Sequence, residues 1–496
     1  MSCIIRIRTV AAALVAVTLA GCAVGPNYQR PEVTLPVEHR GAEPAAAGSE
    51  PSPPESIADV AWWDLFADPV LRDLIDEALV NSYDMRLVAA RIEQARFAVG
   101  TTRADLMPQV SYEGDASRGR GPVAGVENGV TGNQFFAAFQ LAWELDVWGR
   151  VRRSTEASLA DLLATEDVRR AVILSLVTGV AQSYLELREL DLELEIARRT
   201  RKSFEETLAL FNRRLEGGVG NKLATARAAA ALASTRAAIP EIERLIVAKE
   251  NQISILLGRA PGPIARGALL DEQSFPPTIP AGLPAALLER RPDVLQAEQN
   301  VVAANAFVGV ATANFLPRIG LTTLYGAQSS ELENLLEGPG KVWSVAGSVL
   351  GPVFQGGRLY YGYKGSQAAL DEATLAYERT VLNALGEVSN ALVAREKSAE
   401  SRLALEDQVA ALRESVRLAL LRYTGGFAGY FEVLDAQQQL FPAENALARA
   451  RLNEHVAVVQ LYGALGGGWR AEEERSPERY PRRRDALDRL VAVQEQ

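Results

Sequence analysis

The chain has 496 residues, 48% of them hydrophobic, 23% charged and 7% aromatic, a composition that excludes global disorder and a polytopic helical membrane protein. Its 52 basic and 62 acidic side chains give a net charge of -10, which leaves no electrostatic basis for binding nucleic acid. Two cysteines, Cys3 and Cys22, and two histidines, His39 and His455, are too few for a disulfide scaffold or a Cys/His zinc centre.

At the N-terminus, Arg6 and Arg8 precede an apolar run from Val10 to Ala20 that is broken only by Thr18. The run is about half the ~20 residues a spanning helix needs, so residues 1–21 read as a secretory signal peptide. Its end, Leu19-Ala20-Gly21-Cys22, resembles the bacterial lipoprotein cleavage box. That resemblance implies a covalent lipid on Cys22, no other cofactor, and, with Ala23 rather than Asp next to it, an outer-membrane address. Residues 22–62 follow as a lipidated N-terminal linker, flexible where Ala, Pro, Glu and Ser accumulate between Gly41 and Ser56.

The rest of the chain is a duplication, 63–265 and 266–468. Ala98-Val99-Gly100 recurs as Phe307-Val308-Gly309, and Leu106-Met107-Pro108 as Phe315-Leu316-Pro317, at an offset of 209. Gly149-Arg150, Gly217-Gly218 and Leu257-Gly258 recur as Gly357-Arg358, Gly425-Gly426 and Leu465-Gly466 at an offset of 208. Each copy opens with a helical stretch, Asp84 to Leu106 and Asp293 to Leu316, and continues into two segments of period-two patterning. The apolar series is Val110, Tyr112, Gly114, Ala116, then Phe135 to Val147 at odd positions. In the second copy it is Ile319, Leu321, Thr323, Tyr325, then Trp343, Val345, Gly347, Val349. The parity is the same in both copies, and a one-residue slip would invert it. The spacing predicts loops at Gly119 to Asn133 and at Ser329 to Gly340.

Nothing stronger than an isolated glycine breaks the helical pattern from Arg150 to about Leu215, or from Arg358 to about Tyr423. Each helix would be on the order of 100 Å long, too long for a globular core, and must pack on other long helices. Ile173, Val180, Leu187 and Leu194 form one heptad seam, with Leu176, Ser183, Leu190 and Ala197 as the other. Glycine turns, Gly217-Gly218-Val219-Gly220 and Gly425-Gly426-Phe427-Ala428-Gly429, then reverse the chain into return helices holding Pro240 and Pro442. Four amphipathic strands cannot close a membrane barrel, and an open edge in lipid is costly, so several chains must share one; three would give twelve strands and a conducting lumen.

On these residues the chain resembles the outer-membrane efflux lipoproteins of the TolC superfamily, nearest the OprM/NodT group. The resemblance is carried by Cys22-Ala23-Val24-Gly25-Pro26-Asn27-Tyr28, by Asp146-Val147-Trp148-Gly149-Arg150 and its counterpart Val353 to Arg358, and by Arg422-Tyr423-Thr424-Gly425 with Val433-Leu434-Asp435-Ala436-Gln437. It implies a mixed α and β membrane protein, a homotrimeric channel-tunnel with four strands per chain in a twelve-stranded barrel and a long antiparallel coiled-coil α-barrel. The implied function is the outer-membrane exit duct of a tripartite efflux pump, passing drugs or other small molecules. Its partners would be a periplasmic adaptor, an inner-membrane RND-type pump and outer-membrane lipid. The implied gate lies at the periplasmic tip, Gly425, Gly426, Phe427, Ala428, Gly429, Glu432 and Asp435. The implied adaptor-docking residues are Gly217, Gly218, Val219, Gly220, Arg422 and Tyr423. Two positions depart from the family pattern: Ala224 replaces the hairpin acid in the first copy, with Glu432 matching it in the second, and Ala428 stands where OprM-like members carry an acid.

No P-loop is present. His39 in the linker and His455 in a helix give histidine chemistry little support, and Asp435 reads as a structural hydrogen-bonding residue, so an enzyme is not expected. The charge blocks Glu472-Glu473-Glu474 and Arg482-Arg483-Arg484 make 469–496 a charged, solvated C-terminal tail. A protein-secretion duct and a non-conducting tethering lipoprotein are the alternatives. The anchor is directly testable: intact-mass spectrometry should find the mature protein beginning at an acylated Cys22, and Cys22→Ser should lose the modification. An unmodified N-terminus, or cleavage elsewhere, refutes it.

Overall fold

The computed structural model describes residues 23–41, 56–123, 126–273, 284–337 and 340–476. Cys22 and most of the Gly41–Ser56 stretch lie outside the described residues. Eight helices of seven residues or more and four strands follow one another among them. Helices α1 (Pro69–Asn81) and α2 (Tyr83–Ala104) precede strands β1 (Gln109–Val123) and β2 (Val126–Leu145). Then come α3 (Arg150–Glu216), α4 (Lys222–Leu256), α5 (Pro292–Ala313), β3 (Arg318–Ser329) and β4 (Lys341–Leu350). The chain ends in α6 (Arg358–Thr424), α7 (Tyr430–Ala464) and α8 (Trp469–Arg475). The duplication is visible in helix lengths: α2 and α5 have 22 residues each, α3 and α6 have 67, and α4 and α7 have 35. Pro240 and Pro442 both sit inside continuous helices.

The chain forms two compact units that do not coincide with the two copies, because each unit draws on both. One unit comprises Met1–Glu32, Arg91–Thr165 and Gln296–Glu378. It holds an antiparallel sheet of order β1-β2-β3-β4. The register pairs Val110 with Leu141, Leu141 with Thr323 and Thr323 with Val345; Tyr112, Phe139, Tyr325 and Trp343 form the next row. One face is therefore apolar across all four strands, in the parity the sequence gives. The expected loop at Gly119 to Asn133 is not found. Gly119 pairs with Gly132, Arg120 with Thr131 and Gly121 with Val130, so the hairpin runs on to Val123 and Val126. Glycine weakens a strand but keeps both backbone hydrogen-bonding groups, and only Pro122, which has no N–H, falls at a register shift.

The junction from β2 to α3 explains the Asp146–Arg150 motif. The Asp146 carboxylate accepts from the Val151 and Arg152 amides at 3.0 and 2.9 Å and caps α3, while Arg150 grips Glu144 through two bonds. Gly149 takes φ +77°, and a Cβ there would lie 2.6 Å from Ala23 Cβ. The segment after Cys22 is accordingly no loose linker. The Val24 amide donates to Trp148 O, Arg153 Nη2 to Asn27 Oδ1 at 2.8 Å, and Arg30 Nη2 to Glu298 Oε2 at 2.7 Å.

The second unit comprises Val33–Ala90, Glu166–Leu295 and Arg379–Gln496. Ile173, Val180, Leu187, Leu176, Ser183 and Ala197 of the heptad seams are all buried. Asp68 caps α1 through Val70 N and accepts from the Tyr184 hydroxyl at 2.8 Å and the Ala268 amide at 3.0 Å, fixing the N-terminal helices on α3. His39 is buried, and His455 Nε2 lies 3.1 Å from Leu270 O, so both belong to packing. The first residues of the charged tail are also packed rather than solvated. In α8, Trp469 is buried under the Arg170 guanidinium, 4.6 Å from its ring, and Glu473 accepts from Arg169 at 2.9 Å and Arg170 at 3.0 Å. Glu473, part of what looks like a solvated block in the sequence, turns inward because two arginines on α3 pair with it. The rest of the tail, from residue 477, lies outside the described residues.

Removing one partner of a buried ion network leaves the other charge uncompensated, at about 3–5 kcal/mol. Glu473→Ala should therefore lower the thermal unfolding midpoint clearly, whereas Glu474→Ala, at an exposed position, should change it little. Equal midpoints for the two variants would contradict a structural role for the Glu473–Arg169–Arg170 network.

Candidate functional site at the turns of the helical hairpins

Helices α3 and α4 form one hairpin and α6 and α7 the second. The helix before each turn ends the same way. The Gly218 amide donates to Leu215 O and Val219 to Arg214 O; Gly426 donates to Tyr423 O and Phe427 to Arg422 O. These paired bonds satisfy the last carbonyls and require a left-handed residue, here Gly218 at φ +74° and Gly426 at φ +78°. Beyond the caps the copies diverge. At Gly220 a Cβ would stand 2.4 Å from Leu215 N, so only glycine fits, and Asn221 caps α4 through the Leu223 amide at 2.8 Å. Ala428 occupies the corresponding place in the second turn, and Gly429 begins α7 without a side-chain cap.

Of the residues expected at the gate, Phe427 is 81% exposed, with its ring lying back over Gly425. Glu432, in the first turn of α7, has its carboxylate 3.5 Å from Arg422 Nη1. Both side chains are exposed, so the pair contributes at most about 1 kcal/mol. It nevertheless joins one residue expected at the gate to one expected at the docking face. Asp435 is exposed and accepts from Gln439 Nε2 at 2.8 Å, the hydrogen-bonding role its position suggests. Gly217, Gly218, Val219 and Gly220 lie together at the first turn, and Val219 is 75% exposed.

The structure adds a groove of about 370 Å³ between the two turns, lined by residues of both hairpins. Ala224, Tyr423 and Gly429 line it beside Phe211, Arg214, Asn221, Arg227, Tyr430 and Phe431, none of which stands out in the sequence. Phe211 meets Tyr430 edge to face with centroids 3.9 Å apart, Arg214 donates to the Tyr423 hydroxyl, and Arg227 sits 5.6 Å over Phe431. The available signal was divergence between the copies: at an offset of 208, Arg227 corresponds to Asp435 and Phe211 to Ala419.

Away from the turns, α3 and α7 are joined by a polar seam. Gln437 donates to Ser203 Oγ at 3.1 Å, and buried Glu444 receives Arg199 from one hairpin at 2.9 Å and Arg413 from the other at 2.7 Å. Farther along, Arg449 meets Glu193 at 3.0 Å, with buried Glu189 one turn away on α3. Burial first, and then the neighbouring Glu193, push the Glu189 carboxyl up to about 8, against the lowering effect of Arg449; Glu186 adds to the rise.

Residues 74–259 and 283–467 each match the family model for outer membrane efflux proteins. The chain is 36% identical over 461 residues to the toluene efflux pump outer membrane protein TtgC of Pseudomonas putida, covering 92% of this chain and 95% of that protein. It is 32% identical over 456 residues to the cation efflux system protein CusC of Escherichia coli, covering 92% of this chain and 97% of that one. Among solved structures it superposes on the open state of the Neisseria gonorrhoeae MtrE outer membrane channel with a TM-score of 0.81 at 32% identity, over 90% of this chain and 99% of that one. The mixed fold expected from the sequence, with four strands per chain and paired long helices, is thus that of known outer-membrane channels.

A carboxyl whose pKa is raised in the folded protein binds its proton more tightly there. The α3–α7 seam is then strongest below the ordinary carboxylate range and weakens as pH rises toward about 8. Amide exchange in α3 around Glu189, corrected for intrinsic rates, should be at least about tenfold more protected at pH 5.5 than at pH 8.5. Glu189→Gln should flatten that difference, and an unchanged pH profile in the variant would exclude Glu189 as its source.

Proposed function

Because this chain belongs to the outer membrane efflux protein family, we propose that it is the exit duct of a tripartite efflux pump and passively releases drugs or other small organic molecules across the outer membrane. One observation carries the reading. The four-stranded sheet presents one continuous apolar face, and β1 and β4 each have an edge that pairs with no other described strand. In hydrocarbon those edges need partners, and three copies joined β4 to β1 close twelve strands with room for a channel. A lipid on Cys22 would hold the chain at the same membrane. The strap of Ala23 to Arg30, docked on Arg153 at the start of α3 and on Glu298 of α5, would keep that anchor near the strand-to-helix junction.

The duct has no energy source of its own in this reading and is not an enzyme; transport is driven by an inner-membrane pump of the RND type through a periplasmic adaptor. The adaptor docks on the turns Gly217 to Gly220 and Gly425 to Gly429, with Arg422 and Tyr423, where the groove between the hairpins offers arginines and aromatic faces. The resting constriction is formed there by Phe427, with Glu432 and Asp435 supplying negative charge. A hydrophobic ring gates by excluding water, and a charged ring favours cations. Parting the hairpins by adaptor binding opens it.

Native mass spectrometry of the detergent-extracted protein should give a trimer; a conducting monomer or dimer would end the shared-barrel reading. In planar bilayers, Phe427→Ala should raise resting conductance and Glu432→Gln should weaken cation preference. Arg422→Gln, which frees the Glu432 charge, should strengthen that preference. If these three variants conduct like wild type while a substitution on the opposite, polar face of the sheet does not, the gate is elsewhere.

A further inference from the structure

The lengthened β1–β2 hairpin places cations where the sequence led us to expect a loop. β1 and β2 remain paired through Arg118 with Asn133 and Arg120 with Thr131, well beyond Phe135, the last β2 residue whose partner is in β3. Side chains alternate along a strand, so Arg118 and Arg120 continue the face of Val110, Tyr112, Gly114 and Ala116. Lys341, paired with Ala327 at the start of β4, is on the same face. Among the described side chains these three are the only charged ones on that face. Of the ladder's acids whose side chains are described, Glu113, Asp115 and Glu144 all point the other way, where Gln140 donates to Glu113. Glu331, Glu333 and Glu337 belong to the connection after β3, not to the ladder. Arg118 and Arg120 are exposed, and Arg118 Nη1 lies 3.4 Å from Asn133 Oδ1.

Depth along the strand decides what these cations meet. The apolar face of β2 runs from Leu145 to Phe135, a span of ten residue steps. At ~3.4 Å per residue and a tilt of ~40°, that covers about 26 Å along the membrane normal, the height of the apolar band of an outer-membrane barrel. The Arg118 and Arg120 rows then lie about 5 and 10 Å beyond it, in the headgroup layer. We propose that the distal end of this face binds the phosphates of the outer-leaflet glycolipid, with Arg118 and Arg120 as the phosphate contacts; Lys341, level with Ala137, lies two rows deeper and takes no part. Two guanidiniums one register row apart, above an apolar wall that takes acyl chains, suit a lipid with phosphate on its sugar headgroup. Guanidinium pairs bind phosphate in a fixed geometry that neutral polar groups do not reproduce.

The proposal rests on the membrane reading of the sheet, and the test separates the two. Purified full-length protein in neutral detergent is titrated with diphosphoryl lipid A, monophosphoryl lipid A and phosphatidylglycerol, and bound lipid is counted by native mass spectrometry. Wild type should prefer the diphosphoryl form. The double variant Arg118→Gln/Arg120→Gln should bind it about ten- to thirtyfold more weakly, and Arg118→Lys/Arg120→Lys should retain more of the affinity than the glutamine pair. Equal binding by wild type and the glutamine pair overturns the proposal. So does equal affinity for phosphatidylglycerol, or displacement of the lipid by millimolar inorganic phosphate, which would mark a simple anion site. Planar-bilayer conductance is measured on the same preparations. If wild type forms no channels, the membrane reading itself fails; if all three proteins conduct alike and lipid A binding ignores the arginines, only this inference does.

Discussion

A backbone amide in hydrocarbon has nothing to bond but another strand. Each chain contributes four strands with two open edges, and the remaining architecture follows from that shortage. The apolar row Tyr112, Phe139, Tyr325 and Trp343 has no core within the chain to bury it, so its stabilisation depends on lipid and on neighbouring copies. The sheet turns directly into α3 at Gly149, where Asp146 caps the helix and the chain after Cys22 crosses the junction. Strand end, helix start and the chain from Ala23 therefore meet at one junction.

Duplication supplies a second strand pair and a second helical hairpin at once, and the copies have since diverged where their surroundings differ. The end of α3 and the end of α6 use identical caps, because a helix terminus must satisfy its last carbonyls whatever lies beside it. The residues that follow obey no such constraint. Gly220 is held to glycine by the nearby Leu215 backbone, while its counterpart Ala428 tolerates a methyl group. The α3 midsection is buried against α1 and α8 with arginines turned inward, while α6 leaves Tyr361, Leu375, Leu382, Leu403 and Leu421 exposed. Equal lengths and unequal burial are what a repeat shows when one copy carries additional chain and the other does not.

The two hairpins meet through apolar clusters such as Phe204 and Leu232 with Leu434, and through polar contacts that answer to charge. Glu444 takes an arginine from each hairpin, and Glu189 and Glu193 crowd against Arg449. A wholly apolar interface would be indifferent to pH and hard to part. Paired charges can separate into water with little net loss, because hydration replaces much of what the pairing contributed. A seam of this kind is compatible with hairpins that must move apart to open a duct.

Local periodicity and composition determined much of this protein. The duplication, strand parity, helix extents and the glycine turns are set by neighbours in sequence, through alternation, heptads and the need to cap a helix. The apolar parity of Val110 and Leu141 and the chain reversal at Gly217 to Gly220 were legible for that reason. Partnership between distant residues was not. Arg118 and Arg120 looked like loop residues because glycine and proline around them suggest turns, yet strand pairing with Asn133 and Thr131 outweighed that local preference. Glu473 of α8 looked solvated until Arg169 and Arg170, some 300 positions earlier, turned it inward, and the groove at the turns needed Phe211 and Tyr430 brought from different hairpins. A side chain's charge and size are written in the sequence, but the group that compensates its burial is chosen only when the chain folds.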